Sequence, residues 1–405
     1  MTLTSSMTEP RLVRRARIAT LAVFAVQGAM FSAWASRIPD VKSRLDLTPG
    51  QLGIVLLSVS VGSLLGLPAS GRIAHAVGVK RAVQFGAVAN ALGAVIAGIG
   101  IDVVPSRGVV MAGLFVWGLG AGVWDVNQNL EGTTVEHAEG RAIMPWFHAA
   151  WSGGTVVMAF IGAGLAAARV PVFVHLTAAA LLTLGVAFWG TARFLPATAA
   201  DSPEDGPERQ TLPRSAWLER RTLLVGLMVF AAAFAEGTAN DWIAVAFIDG
   251  HDLPHWAGVL ALAVFLTFMT AGRIFGTGLL DRHGRVPVLR AMFLLASVGC
   301  LLVVFGGPIG GYIGAAVWGL GASMGFPVGM SAAGDEPEYA PQRISVVATL
   351  GYTAFLAGPP LLGFLGDQVG VLKALLAVGI MGALALLVVP AAKPLSGSLA
   401  GRPKV

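Results

Sequence analysis

Charge is scarce in this chain. Only 12% of its 405 residues are Asp, Glu, Lys or Arg, against 55% hydrophobic, and that charged share is about half of what a soluble domain carries. Such a surface is not built for water, which excludes an ordinary soluble enzyme or binding module. Cysteine is nearly absent: Cys300 is the only one and lies in an apolar run, so no internal disulfide forms and the redox state of the compartment goes unreported. One Cys and seven scattered His give no metal-ligand spacing. A phosphate-cradling Gly-Lys-Ser or Gly-Lys-Thr loop is missing, which removes ATP as an energy source. A Ser-centred nucleophile elbow is missing too. No metal, no cofactor and no enzymatic activity are expected. Lysine is sparse, 5 against 22 arginines, and with the excess of Ala, Gly and Val this hints at a GC-rich bacterial source.

What is present is apolar length. A helix needs roughly 20 apolar residues to cross a hydrocarbon core of about 30 Å, and twelve such runs recur, at about 16–36, 50–73, 81–101, 108–131, 143–168, 171–193, 221–246, 256–279, 286–306, 308–332, 343–366 and 370–391. The 53 glycines suit helices that approach closely inside a bilayer, where packing rather than the hydrophobic effect joins them. The one long polar interruption, with Asp201, Pro203, Glu204, Asp205 and Glu208, buries too little to fold. It divides the chain into a first bundle at 1–195, a linker at 196–220 and a second bundle at 221–405.

Basic residues sort by side. With the N-terminus inside, twenty Lys and Arg fall on that face, including Arg11, Arg14, Arg72, Arg81, Arg141, Arg221, Arg290 and Lys393. The other face receives six: Arg37, Lys42, Arg44, Arg107, Arg169 and Lys373. The excess predicts both termini in the cytoplasm. It also accounts for the +5 net charge without a nucleic-acid face, since the basic residues sit in short segments between apolar runs. A cleaved signal peptide is the alternative for the first run, because Ala33-Trp34-Ala35 resembles a cleavage site; removing it breaks the even count of spans. The halves repeat: Val116-Trp117-Gly118-Leu119-Gly120-Ala121 recurs letter for letter as Val317-Trp318-Gly319-Leu320-Gly321-Ala322. Duplication of this kind places a solute site at mid-membrane, between repeats that rock about it.

The loops between the second and third spans of each half carry a motif. Asp281, Arg282, Gly284 and Arg285, followed by Arg290, form the second copy, with Thr277 at the leading position; Gly71, Gly78, Lys80 and Arg81 form the first, with His75 where an acid is expected. On these residues nearly the whole chain resembles the major facilitator superfamily. The resemblance implies an all-α membrane protein of twelve transmembrane helices in two six-helix bundles. It also implies that this loop latches the bundles on the cytoplasmic side, its acid facing a helix N-terminus or a neighbouring Arg. A neutral His75 latches weakly. Asp125-Val126-Asn127-Gln128-Asn129, Val135-Glu136, His148 with Trp151-Ser152-Gly153-Gly154, and Glu236 with Asn240-Asp241-Trp242 are similar to the fucose-permease-like branch. That likeness implies proton-linked sugar uptake. The Pro of the span-five signature typical of drug antiporters is missing from Trp151-Ser152-Gly153-Gly154, which favours uptake over export; export of a drug or metabolite remains the alternative.

Ionisable groups inside a span are costly and are functional candidates by default. Asp125 stands about eight residues from the end of its span, ~12 Å at 1.5 Å per residue, and is the candidate proton carrier. Asn129 lies one turn on, able to hydrogen-bond a hydroxylated solute. Glu236 and Asn240 pair likewise in the seventh span, and Gln27 shares a face with Trp34 in the first. Each has a bland alternative: a structural hydrogen bond for Asp125, a helix-helix contact for Glu236, space-filling for Trp34. His148 and Arg273, with Glu131 or Glu136, form a candidate cytoplasmic gate. The expected protein is a monomeric multi-pass symporter of a bacterial inner membrane. Its expected partners are a small neutral sugar-like solute, protons and the lipid bilayer.

Overall fold

The computed structural model describes residues 10–140, 143–196, 215–336 and 338–395, and all regular structure among them is helical. The helices are α1 (Pro10–Ala35), α2 (Ile38–Arg44), α3 (Pro49–Val77), α4 (Val79–Asp102), α5 (Arg107–Glu139), α6 (Met144–Ala167), α7 (Val172–Thr191), α8 (Arg220–His251), α9 (His255–His283), α10 (Arg285–Phe305), α11 (Gly307–Ala322), α12 (Gly325–Ala333), α13 (Ala340–Val369), α14 (Val371–Ala374) and α15 (Leu376–Val388). They build twelve stretches long and apolar enough to span a membrane, α1 with α2, α11 with α12 and α14 with α15 each making one. The twelve spans expected from the sequence are all present. The acidic linker residues Asp201 to Glu208, with Arg141, Arg209 and Arg214 of the charge count, lie outside the described residues.

Two compact units result, one of Met1–Leu45 with Ser58–Ser202, the other of Asp46–Leu57 with Pro203–Val405. The first turns of α3 therefore group with the second half of the chain, a division that sequence composition does not mark. In the first unit α1 packs on α6 and α7, and α4 on α5 and α7; in the second α8 packs on α13 and α9, and α10 on α11 and α15. Large apolar side chains such as Leu65, Phe85, Leu181, Phe275, Ile309 and Leu387 stay exposed, as lipid-facing positions must.

The repeated hexapeptide has a packing explanation. In the first unit a Cβ on Gly118 would stand 2.1 Å from the carbonyl oxygen of Val59, and one on Gly120 2.4 Å from the amide of Asn90. In the second unit Gly319 would meet the carbonyl oxygen of Phe265 at 2.3 Å and Gly321 the amide of Ala296 at 2.2 Å. Each copy thus lays one span directly against the backbones of two neighbours, an approach open only to glycine. Trp117 and Trp318 fill the adjoining space, edge-on to Trp34 and to Phe265. The loop motif shows the same duplication: Gly78 and Gly284 separate α3 from α4 and α9 from α10 at φ 82° and 78°, a left-handed region that favours glycine.

Candidate functional site

Within the first unit polar side chains from α1 and α5 meet inside the spans. Gln27 is buried on α1 and Gln128 on α5, and the Gln128 Nε2 donates to Gln27 Oε1. Gln128 Nε2 also lies 3.4 Å from Asp125 Oδ1, three residues back on its helix. Asn129 Nδ2 donates to the Asp125 carbonyl at 2.7 Å and reaches its carboxylate at 3.5 Å. The four make one polar row, buried at Gln27 and Gln128 and exposed at Asp125. Periodicity explains the row: 125, 128 and 129 share a helical face. Gln128 completes it although the sequence reading did not single it out; its polar amide one turn from an intramembrane carboxyl was the available signal. Trp34 is buried edge-on against Trp117, ring centroids 5.6 Å apart, in a core contact.

In the second unit Glu236 of α8 faces Arg273 of α9. Arg273 Nη2 lies 2.9 Å from both Oε1 and Oε2 of Glu236, the side chains being 28% and 11% exposed. Opposite charges inside the spans neutralise each other, so neither stands as a naked ion in low dielectric. Asn240, one turn from Glu236 on the same face, is buried, and its Oδ1 has no hydrogen-bond partner among the described residues. Asn240 Oδ1 is thus a buried acceptor that the described side chains leave unused.

Each of the four gate candidates has contacts within its own unit. Arg273 is engaged by Glu236. His148 is exposed on α6 and edge-on to Phe24, ring centroids 5.5 Å apart. Glu131, buried about two turns before the end of α5, accepts the Leu195 N–H at 3.0 Å. Glu136 accepts the Ile143 and Met144 N–H groups at 2.7 and 2.6 Å, joining the end of α5 to the start of α6. Both carboxylates satisfy main-chain amides, which spacing in the sequence does not reveal. In the loop motif Gly71, His75, Lys80, Arg81, Asp281 and Arg282 are exposed. Arg285 departs from them, with Nη1 2.7 Å from Asp335 Oδ1 and Nη2 3.0 Å from Ser331 Oγ. Arg221 Nη2 takes the other Asp335 oxygen at 2.7 Å.

One residue counted from the sequence only as a basic charge of the outer face is buried. Arg37, 1% exposed where α1 gives way to α2, donates from Nε to His175 Nδ1 at 2.8 Å, with Asp40 3.5 Å from Nη1. The partners are 138 residues apart, and no motif links them. Beside them Arg44 Nη1 lies 3.0 Å from Asp102 Oδ1.

The sequence model of the Major Facilitator Superfamily matches residues 19–340 and 259–404. An uncharacterised transporter of this type from Yersinia pestis is 30% identical over 358 residues, 87% of this chain and 89% of that protein. Among solved structures, the nucleoside transporter NupG superposes with a TM-score of 0.69 at 13% identity, covering 94% of this chain and 98% of its own. The E. coli fucose:proton symporter FucP gives 0.63 at 16% identity, covering 92% and 97%. Twelve spans, duplicated packing motifs and a family match across most of the chain place it in one class: it belongs to the Major Facilitator Superfamily. It is a multi-pass membrane transporter, not an enzyme.

Proposed function

We propose that the protein takes up a small, neutral, hydroxylated solute of sugar-like chemistry together with protons, working as a monomer in a bacterial inner membrane with both termini in the cytoplasm. The row Gln27, Gln128, Asp125 and Asn129 carries this reading. It offers amide donors and acceptors for hydroxyl groups next to a carboxyl able to hold or release a proton, inside the spans and with no metal or cofactor required. In the second unit the Glu236–Arg273 pair is neutral as it stands, so the solute need bring no compensating charge. Asn240 supplies a further acceptor. Two structural neighbours carry molecules of related chemistry, fucose with a proton for FucP and nucleosides for NupG, and both ligands are hydroxylated rings.

The test is reconstitution in liposomes carrying a lumenal pH dye, challenged with L-fucose, D-galactose and uridine. A binding solute is first picked out by thermal shift, since a ligand of the folded state raises its stability by mass action. Uptake of the solute with lumenal acidification is expected, and Asp125→Asn retains binding while abolishing the acidification. Asp125→Asn protein that acidifies the lumen as wild type does would remove Asp125 from the mechanism. Exit of the same solute from loaded liposomes as protons enter, driven by an acidic exterior, would favour the exporter instead.

A further inference from the structure

In the first unit the start of α1 lies against the end of α7, and the two helices run antiparallel. A Cβ on Gly190 would stand 2.5 Å from Val23 Cγ2 and 3.3 Å from the Ala19 carbonyl oxygen, while Leu195 packs on the cluster that holds Ala16. Arg193 is therefore about level with Ile18, one turn from Arg15. On α1 the residues Arg11, Arg15 and Ile18 follow one another at helical spacing and are exposed; on α7 Arg193, Trp189 and Leu182 do the same. At about 100° per residue both rows turn to the same side of the contact between Ala19 and Gly190. They are the two walls of one surface groove.

The three arginines of this groove meet no carboxylate among the described residues. The acids at this end of the unit are engaged elsewhere: Glu139 Oε1 lies 2.9 Å from Arg17 Nη1, and Glu131 accepts the Leu195 N–H. Arg193 is held in place, its Nη1 donating to the Trp189 carbonyl at 2.6 Å and its guanidinium carbon 4.3 Å from the centroid of the Trp189 ring, a favourable stacking of cation on indole. Its Nε and Nη2 have no hydrogen-bond partner among the described residues. Trp189, Ile18 and Leu182 are 42%, 47% and 52% exposed, so along both walls charge gives way to apolar surface. That is the order of headgroup and acyl chain in a phospholipid. A guanidinium at the depth of exposed apolar side chains needs a counter-ion, and where the protein supplies none the bilayer must. A zwitterionic headgroup brings its own ammonium, whereas an anionic one leaves its phosphate for the arginines.

We infer that the groove between α1 and α7 is a binding site for one anionic phospholipid, its phosphate held by Arg15 and Arg193, with Arg11 adding charge and Trp189, Ile18 and Leu182 seating the first part of the acyl chains. The inference needs neither the solute nor proton coupling, so it stands or falls apart from the uptake reading.

Native mass spectrometry of the full chain in detergent, titrated with dioleoyl phosphatidylglycerol or dioleoyl phosphatidylcholine, tests it. The first phosphatidylglycerol is expected to bind more tightly than phosphatidylcholine. Each arginine near an anionic headgroup contributes roughly fivefold, so Arg193→Gln lowers the preference about fivefold and Arg15→Gln/Arg193→Gln about twenty-fivefold. Trp189→Ala, which leaves Arg193 unheld, gives a smaller loss. Arg220→Ala, at an exposed arginine starting α8, leaves the preference unchanged. Equal binding of the two lipids, a preference that survives in the double variant, or an equal loss in Arg220→Ala would overturn the inference. So would displacement of the lipid by millimolar inorganic phosphate. If neutralising Asp201, Glu204, Asp205 and Glu208 together to their amides raised the affinity for phosphatidylglycerol tenfold, acidic side chains of the chain itself would be the arginines' partners and the lipid reading would fall. Should a variant not fold, a diazirine-bearing phosphatidylglycerol photolysed with the wild-type protein reads the same site: label within residues 11–18 and 182–193 is expected, and label confined to other helices would refute it.

Discussion

Arg273 holds both carboxylate oxygens of Glu236 through a single nitrogen, at 2.9 Å each, between adjacent spans of one unit. Breaking such a pair is worse than never having it, because the surviving charge loses its partner in a medium that solvates it poorly. Arg273→Ala is expected to destabilise the protein by about 2 kcal/mol or more, and Glu236→Gln with Arg273→Ala together by less than Arg273→Ala alone. Thermal or chemical unfolding in detergent measures the cycle. Strictly additive losses would mean that the two side chains do not stabilise each other.

The same pair shows what the sequence could and could not say. Glu236 and Arg273 were each legible as ionisable residues within apolar runs, because a charge in a span stands out by composition alone. Their pairing was not: it depends on the rotation of α8 against α9, and the sequence reading placed Arg273 with His148 instead. The twelve spans, the duplicated hexapeptide and the Gly78 and Gly284 turns were readable because bilayer thickness, backbone contact and positive φ each restrict residue type strongly. Glu131 and Glu136, read from the sequence as gate charges, also accept main-chain amides of residues 195, 143 and 144. Such bonds depend on where the chain turns, and no periodicity announces it.

Packing in the duplicated hexapeptide predicts a strong contrast among glycines. Gly319→Ala places a methyl group 2.3 Å from the Phe265 carbonyl oxygen and Gly118→Ala one 2.1 Å from that of Val59. Backbone cannot yield as a side chain does, so each is expected to cost about 1–3 kcal/mol. Gly185 and Gly278 have nothing within 4 Å of the added carbon, and alanine there is expected to be neutral or to stabilise by up to about 1 kcal/mol through helix propensity. Melting temperatures of the four variants decide; equal shifts at all four would refute the repeat as a packing device.

At the start of α8 the Arg343 guanidinium holds the Glu219 carboxyl below the usual carboxylate range, helped by the Thr222 hydroxyl and opposed by partial burial. Arg343 donates from Nε to Oε2 at 2.7 Å and from Nη2 to Oε1 at 3.1 Å, and its Nη1 contacts Glu336. A depressed folded value means that the ionised form is preferred in the native state. The stabilisation is therefore complete above the ordinary carboxylate value of about 4.3 and is lost as pH falls through the lower folded value. Glu219→Gln is expected to flatten stability against pH on the acid side and to leave its slope near neutrality unchanged. Because Glu219 is only partly buried, solvent screens the pair and the effect is on the order of 1 kcal/mol or less. A wild-type acid limb in the Glu219→Gln protein would disprove the assignment.

Arg37 and His175 carry the opposite lesson about buried charge. Arg37 is 1% exposed and His175 3%. The guanidinium is compensated only in part, because His175 accepts its Nε–H without bearing negative charge, Asp40 lies at the 3.5 Å edge of contact, and Nη2 has no hydrogen-bond partner among the described residues. Desolvating an arginine costs several kcal/mol and this environment recovers only a portion. Removing the charge together with its demand for partners, as in Arg37→Met, which keeps much of the volume, is therefore expected to change stability by less than about 1 kcal/mol in either direction. His175→Ala removes the best acceptor and leaves the charge buried; a loss of about 3 kcal/mol is expected. Arg37→Met placed on the His175→Ala background should restore part of that loss, since it deletes the charge that the missing imidazole had served. Unfolding midpoints of the two single variants and the double variant give the order directly. If Arg37→Met were the more damaging of the two, the guanidinium would have to be better compensated than its contacts in the fold allow.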